Sequence, residues 1–151
     1  MPVREATASD LAEVCSLIRE LAEYEHLTGE VSFDPINISR HLFGPARVAY
    51  ATIAEVDSTT NDAAGFALWY PTFSTFLGVP GIWLEDLFIR PPFRGLGLGS
   101  ELLDDLRQRT EGRLEWAVLD WNESALGFYR RLGARPVAGW SRYRLDPSGR
   151  P

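Results

Sequence analysis

The sequence predicts an α/β domain built on a mixed sheet of six to seven strands, flanked by about four helices. Three observations carry this. Leu11, Val14, Cys15, Ile18, Leu21 and Ala22 recur at helical spacing, as do Leu98, Leu102, Leu103 and Leu106. Apolar runs on either side of the polar stretch 57–62 read as two strands of a hairpin. The later half alternates strand, helix, strand and helix, an order that needs crossovers and hence some parallel pairing. At 151 residues, with no linker or repeat, the chain reads as one domain over 1–151, large enough to bury a core.

Each element has a local reason. Val3-Arg4-Glu5 is a short first strand, and Thr7-Ala8-Ser9-Asp10 resembles a capping box that opens helix one. That helix ends near Tyr24-Glu25-His26. Asp34-Pro35 is an N-cap followed by a first-turn proline, opening a short helix through Ile38, Leu42 and Phe43 that Gly44-Pro45 ends. Strands are expected over 47–56 and 64–70, followed by a loop over 71–81 that is unusually apolar for a surface segment. A strand follows over 82–89, then the Leu98–Leu106 helix with Gly112 as its stop. Leu114 to Trp121 reads as a strand, Ser124 to Leu132 as a helix closed by Gly133, and Pro136 to Leu145 as one or two final strands.

Composition removes several classes of function. Net charge is −6, which argues against nucleic acid and favours a cationic small partner. All fifteen basic residues are arginine, so the chain has neither a Schiff-base lysine nor a P-loop lysine. No apolar run reaches membrane-span length, and no signal peptide opens the chain, which points to the cytoplasm. The single cysteine, Cys15, lies on the apolar face of helix one and reads as a small core residue. His26 and His41 lack metal-ligand spacing, so no metal is expected.

The chemistry concentrates between Ile82 and Ser100. Two carboxylates, Glu85 and Asp86, interrupt an apolar strand, where an unpaired charge is expensive unless it has a task. After them, Arg94-Gly95-Leu96-Gly97-Leu98-Gly99-Ser100 opens a helix. Its spacing is neither the dinucleotide fingerprint nor a P-loop, but free N–H groups at a helix start favour an anion, and glycines let it approach.

The pattern R-G-x-G-x-G after a Leu84-Glu85-Asp86-Leu87-Phe88 strand resembles the GNAT superfamily of N-acetyltransferases. Asp120-Trp121-Asn122-Glu123 and Phe128-Tyr129-Arg130-Arg131-Leu132-Gly133-Ala134 match that family's W-N-x-x-A-x-x-F-Y-x-x-x-G-A segment. More narrowly, Leu84-Glu85-Asp86, Trp121-Asn122-Glu123 and Phe128-Tyr129 are similar to the diamine (spermidine/spermine) and thialysine acetyltransferase branch.

The resemblance implies a division of labour. Acetyl-CoA is the co-substrate: its pyrophosphate lies on Gly95, Leu96, Gly97, Leu98, Gly99 and Ser100, with Arg94 and Ser100 adding contacts. Its pantetheine arm pairs with Leu87, Phe88 and Ile89 in a wedge between two parallel strands, and Asn122 contacts the same arm. Glu85 is the general base through a water, with burial among Trp83, Leu87 and Ile89 raising its pKa. Tyr129 faces the sulfur and is the general acid. No acyl-enzyme is expected.

Tyr24, Glu25, Asp86 and the Glu115-Trp116 pair occupy positions that line the amine site in this branch, and acidic and aromatic groups suit an aliphatic cation. Polyamine-acting relatives carry an acid before the C-terminal Gly-Trp where this chain has Ala138, which favours a shorter amine such as thialysine or a diamine. Alternatives are a GNAT enzyme acting on a protein N-terminus, an aminoglycoside or an amino acid, or a non-catalytic acyl-CoA binder. The resemblance also implies a homodimer. As strand neighbours, Glu85 and Asp86 are expected on opposite faces unless a bulge re-aims one.

Overall fold

The computed structural model describes residues 2–56 and 62–148. The chain divides into two compact units, Met1–Leu119 and Asp120–Pro151.

In the first unit, β1 (Val3–Glu5) leads to α1 (Leu11–Tyr24) through a tight turn in which the Thr7 N–H donates to the Asp10 carboxylate at 2.7 Å. The buried stripe of α1 is Val14, Cys15, Leu17, Leu21 and Ala22, with Leu17 at its centre where the spacing suggested Ile18. Helix α2 (Pro35–Phe43) starts on Asp34, whose carboxylate accepts the Ile36 N–H at 2.9 Å, and Pro35 occupies the first turn, where its missing N–H has no partner to lose. Then come β2 (Tyr50–Glu55), β3 (Ala63–Ser74), β4 (Val79–Ile89), α3 (Leu98–Gln108) and β5 (Leu114–Trp116). Of the polar turn expected over 57–62, all but Asp62 lies outside the described residues.

The sheet runs in the order β1-β2-β3-β4-β5, antiparallel except for the β4–β5 pair, which is parallel. On one face Val14, Leu17 and Leu21 of α1 and Leu42 of α2 pack with Ala51, Ile53, Phe66, Leu68 and Phe88. Helix α3 covers the other face with Leu102, Leu103 and Leu106 fully buried. Each such leucine contributes roughly 1.5–3 kcal/mol by leaving water.

Two expectations need correction. The stretch 71–81 is not a loop: β3 and β4 pair from Tyr70↔Trp83 out to Ser74↔Val79. Pro71 and Pro80 look like breakers, yet both fit. Ile82, opposite Pro71, turns its N–H away from β3 to the Arg113 carbonyl at 2.8 Å, so that pair needs no proline N–H, and Pro80 lies two residues along in the same phase. The sheet also has five strands among the described residues rather than six or seven. β5 stops at Trp116, and 136–145 forms no strand. A segment with apolar residues becomes a strand only when a neighbour completes its ladder, and this one instead exposes Val137, Trp140, Tyr143 and Leu145.

The second unit contains α4 (Glu123–Arg131). Asn122 caps it, its side-chain oxygen accepting the Ala125 N–H at 3.2 Å, and Gly133 follows at φ 84°.

Candidate active site

The β3–β4 ladder shifts by one residue in its middle. Leu84 pairs with Trp69 and Asp86 with Leu68, so Glu85 is an extra residue in a β-bulge. Tyr70 and Leu68 share the α1 face of β3, and their partners Trp83 and Asp86 share it too, because directly opposite residues point the same way. Glu85 joins them: its Oε2 accepts Trp83 Nε1 at 2.9 Å and Tyr70 OH at 3.5 Å. The bulge thus gathers both carboxylates on one face, the alternative the sequence left open. Glu115 pairs with Trp83 and lies on that face, whereas Trp116 pairs with Leu84 and turns to the α3 side.

Above this face α1 comes to its end. His26 adopts φ 59°, the left-handed turn that closes the helix, and the Leu27 N–H reaches back to the Ala22 carbonyl at 2.8 Å. The closure leaves Tyr24 beside Phe88, ring centroids 6.3 Å apart, with Glu25 next in line.

The electrostatics differ from the expectation for Glu85. Glu85 is exposed, while Asp86 is half-buried with its carboxyl largely withdrawn from water. Burial, followed by the negative charges of Glu85 and Glu25, pushes the Asp86 carboxyl up to about 7. Burial also raises Glu25. The desolvation assigned to Glu85 therefore belongs to its neighbour, because the bulge tips Glu85 outward toward Trp83 and Tyr70.

Downstream, the β4 strand meets the glycine turn. Gly95 and Gly97 sit at φ 77° and 83°, a region costly for other residues, and a Cβ on either would meet nothing within 4 Å. The space over the turn is open. The first return bond of α3 is Glu101 N–H to the Gly97 carbonyl at 3.0 Å, so the N–H groups of Leu98, Gly99 and Ser100 precede the helical ladder and are available to an anion. Pairing between β4 and β5 ends at Leu84↔Trp116, so Glu85 to Ile89 has no strand neighbour on that side among the described residues. A phosphate-bearing chain with amide groups fits both features: a cradle of donors and an open strand edge leading from it.

Arg94 does more than was expected of a phosphate contact. Its Nε donates to the Ile89 carbonyl at 2.8 Å, and its guanidinium lies 4.8 Å from the Tyr24 ring centroid and 5.7 Å from that of Phe88. Just upstream, Arg90 binds Glu20 through Nε at 2.9 Å, Glu13 through Nη1 at 2.5 Å and the Ala63 carbonyl at 2.7 Å, tying the end of β4 to α1 and β3. Sequence reasoning missed Tyr70, Arg90, Glu13 and Glu20. Only Tyr70 carried a signal, through its place opposite Trp83 in a hairpin.

In the second unit, Asn122 is buried as the α4 cap and Tyr129 stands about two turns further on, its ring 5.4 Å from that of Phe128. Among the described residues no group of His, Cys, Asp and Glu could hold a metal ion, and no helix is long and apolar enough to cross a membrane.

Comparison with known proteins adds to this geometry. The acetyltransferase (GNAT) family profile matches residues 12–134. A thialysine N-epsilon-acetyltransferase of Bos taurus is 33% identical over 156 residues, covering 95% of this chain and 91% of that protein. An L-ornithine N5-acetyltransferase of Arabidopsis thaliana is 27% identical, covering 95% and 83%. Among solved structures, a probable acetyltransferase superposes with a TM-score of 0.78 at 21% identity, covering 99% of this chain and all of that one, a likeness of fold.

Proposed function

This chain belongs to the acetyltransferase (GNAT) family, and from that premise we propose that it moves the acetyl group of acetyl-CoA directly to the amine of a small aliphatic cation, a diamine, polyamine or thialysine-like molecule. One observation carries the choice of amine. Glu25, Glu85, Asp86 and Glu115 share a face with Tyr24, Tyr70 and Trp83, a surface that suits an alkylammonium through charge and ring contact. The naming of two relatives after thialysine and ornithine, both amino acids with a terminal amine, supports the same class.

Acetyl-CoA supplies the activated acyl group, and everything else falls to the chain. Backbone N–H groups from Gly95 to Ser100 hold its phosphates, and Leu87, Phe88 and Ile89 offer the open edge of β4 to its amide arm, with Asn122 as a further contact. Alkyl amines arrive protonated, with pKa near 10.4 like a lysine, so a base must take a proton before attack. Glu85, exposed and held by Trp83 and Tyr70, takes it through water, while Asp86 and Glu25 seat the cation. Tyr129 returns a proton to the departing sulfur. We also assign a homodimer, supported by the exposed apolar tip of the β3–β4 hairpin, where Phe76 is 95% accessible. A cytoplasmic location is supported by the unpaired, buried Cys15.

The test is thiol release from acetyl-CoA across diamines, polyamines, thialysine, ornithine, an aminoglycoside and N-terminal peptides. Fastest release with a short diamine or thialysine is expected. Acetyl-CoA binding with no amine-stimulated release would leave a non-catalytic binder, and preference for the peptides or aminoglycoside would move the substrate class. Sedimentation of the purified chain reads the dimer.

A further inference from the structure

We propose that this face takes up its amine by exchanging a proton for a cation: Asp86, opposed by Glu25 and Glu85, carries a proton while the face is empty and gives it to solvent as the ammonium settles. Asp86 is thereby the residue that sets the pH at which the enzyme captures its substrate. This rests on the amine-acetyltransferase reading above and specifies how its binding face works.

By adding Glu85 to β4, the bulge turns two consecutive carboxylates to one side of the sheet, where a regular strand would have separated them. The end of α1 brings a third, Glu25, close enough to act on Asp86 through space. The groups that face Asp86 can be taken element by element. From α1 come Tyr24 and Glu25; from β3, Tyr70; from β4, Trp83 and Glu85; from β5, Glu115. The two cations nearest this face along the chain are both engaged, Arg90 by Glu13, Glu20 and the Ala63 carbonyl and Arg94 by the Ile89 carbonyl and the rings of Tyr24 and Phe88.

Mutually repelling carboxylates in a desolvated setting cannot all stay ionised, and the one with the poorest access to water takes the proton. That is Asp86, since Glu85 is exposed and bonded to Trp83 and Tyr70. Its elevated carboxyl, about 7, agrees with this ranking. An ammonium arriving among the three carboxylates supplies the missing positive charge, and the bound proton becomes superfluous. The balance is simple: one O–H bond of Asp86 breaks, water or buffer takes the proton, and a charged N–H donor replaces it.

The experiment is calorimetric titration of 1,4-diaminobutane and of thialysine into the full chain with coenzyme A present, at pH 6 and pH 8.5, each in two buffers of different ionisation heat. Both amines carry the same charge on their terminal nitrogen at the two pH values, so any proton that nitrogen loses is common to both. The expected result is close to one additional proton released per amine at pH 6, absent at pH 8.5, with affinity weakening up to tenfold per pH unit below 7. Asp86→Asn should abolish the additional proton and flatten the pH dependence. Glu25→Gln, which spares Asp86, should move the bend to lower pH. Equal proton release at both pH values in the parent protein overturns the exchange while leaving the enzyme reading intact. Failure of both amines to bind at pH 8.5 overturns the small-amine reading and this inference with it.

Discussion

Replacing Asp86 by Asn should make the protein more stable at pH 8, and by a large amount. In the folded chain, burial and the charges of Glu85 and Glu25 raise this carboxyl from its usual 3.8 to about 7. The native state therefore binds the proton more tightly than the unfolded chain does. Stability from this group is fully present below about pH 4 and is lost progressively as pH rises to about 7. At 1.36 kcal/mol per pKa unit, the loss approaches about 4 kcal/mol, a large share of the 5–15 kcal/mol of a typical domain. Asparagine has nearly the same shape and no charge to lose, so the variant keeps what the parent forfeits. Urea unfolding of both proteins without ligand, at pH 5 and pH 8, checks this. The parent should weaken between the two, whereas Asp86→Asn should hold and exceed the parent by several kcal/mol at pH 8. A variant no more stable than the parent at pH 8 would show that Asp86 is ordinarily solvated and would remove the physical basis for proton-linked capture.

Tyr129→Phe should cut turnover by about 10²–10⁴, the usual worth of a positioned acid, while acetyl-CoA binding measured by calorimetry stays unchanged; undiminished turnover would remove Tyr129 from the mechanism. Gly97→Ala should destabilise the chain by about 1–2 kcal/mol, since φ 83° is costly with a Cβ, and should raise KM for acetyl-CoA more than KM for the amine. An unchanged KM for acetyl-CoA would argue against the turn as a phosphate cradle. At the acid end, the Arg4 guanidinium, 2.9 Å away, lowers the Asp10 carboxyl to about 2, so this pair stabilises the fold above pH 4 and ceases to as pH falls toward 2. Asp10→Asn should therefore unfold more readily than the parent at pH 6 but no more readily at pH 2.

Helices were legible because their signal is local. Apolar spacing marked α3 residue by residue, and Asp34-Pro35 marked the start of α2 from two side chains alone. The β3–β4 hairpin was not legible beyond Tyr70, because whether a proline breaks a strand depends on the direction of the N–H opposite, which only the ladder reveals. The length of β5 and the absence of strand over 136–145 escaped for the same reason: apolar content states what a segment can do once paired and not whether it is paired. The glycine turn and the two carboxylates could be found in the sequence, but which carboxylate is desolvated depends on one extra residue in β4 that no periodicity announces. Arg90 carried no local signal, because its clamp on Glu13 and Glu20 joins residues about seventy positions apart.

The bulge also divides β4 into two halves of opposite phase. Before it, Ile82 and Leu84 are buried on the α3 side; after it, Phe88 is buried against α1, although all three are even-numbered and a regular strand would send them the same way. One strand thus serves both hydrophobic layers, and Glu85 is the counting error that allows it. A side-chain change at Glu85 leaves this phase switch in place. Deleting the residue would not: the strand would straighten, and either half could keep its layer only by giving up that of the other. At this position chain length holds the fold and the carboxylate serves the proposed chemistry, so the two can be lost separately: a substitution removes the base alone, a deletion removes both.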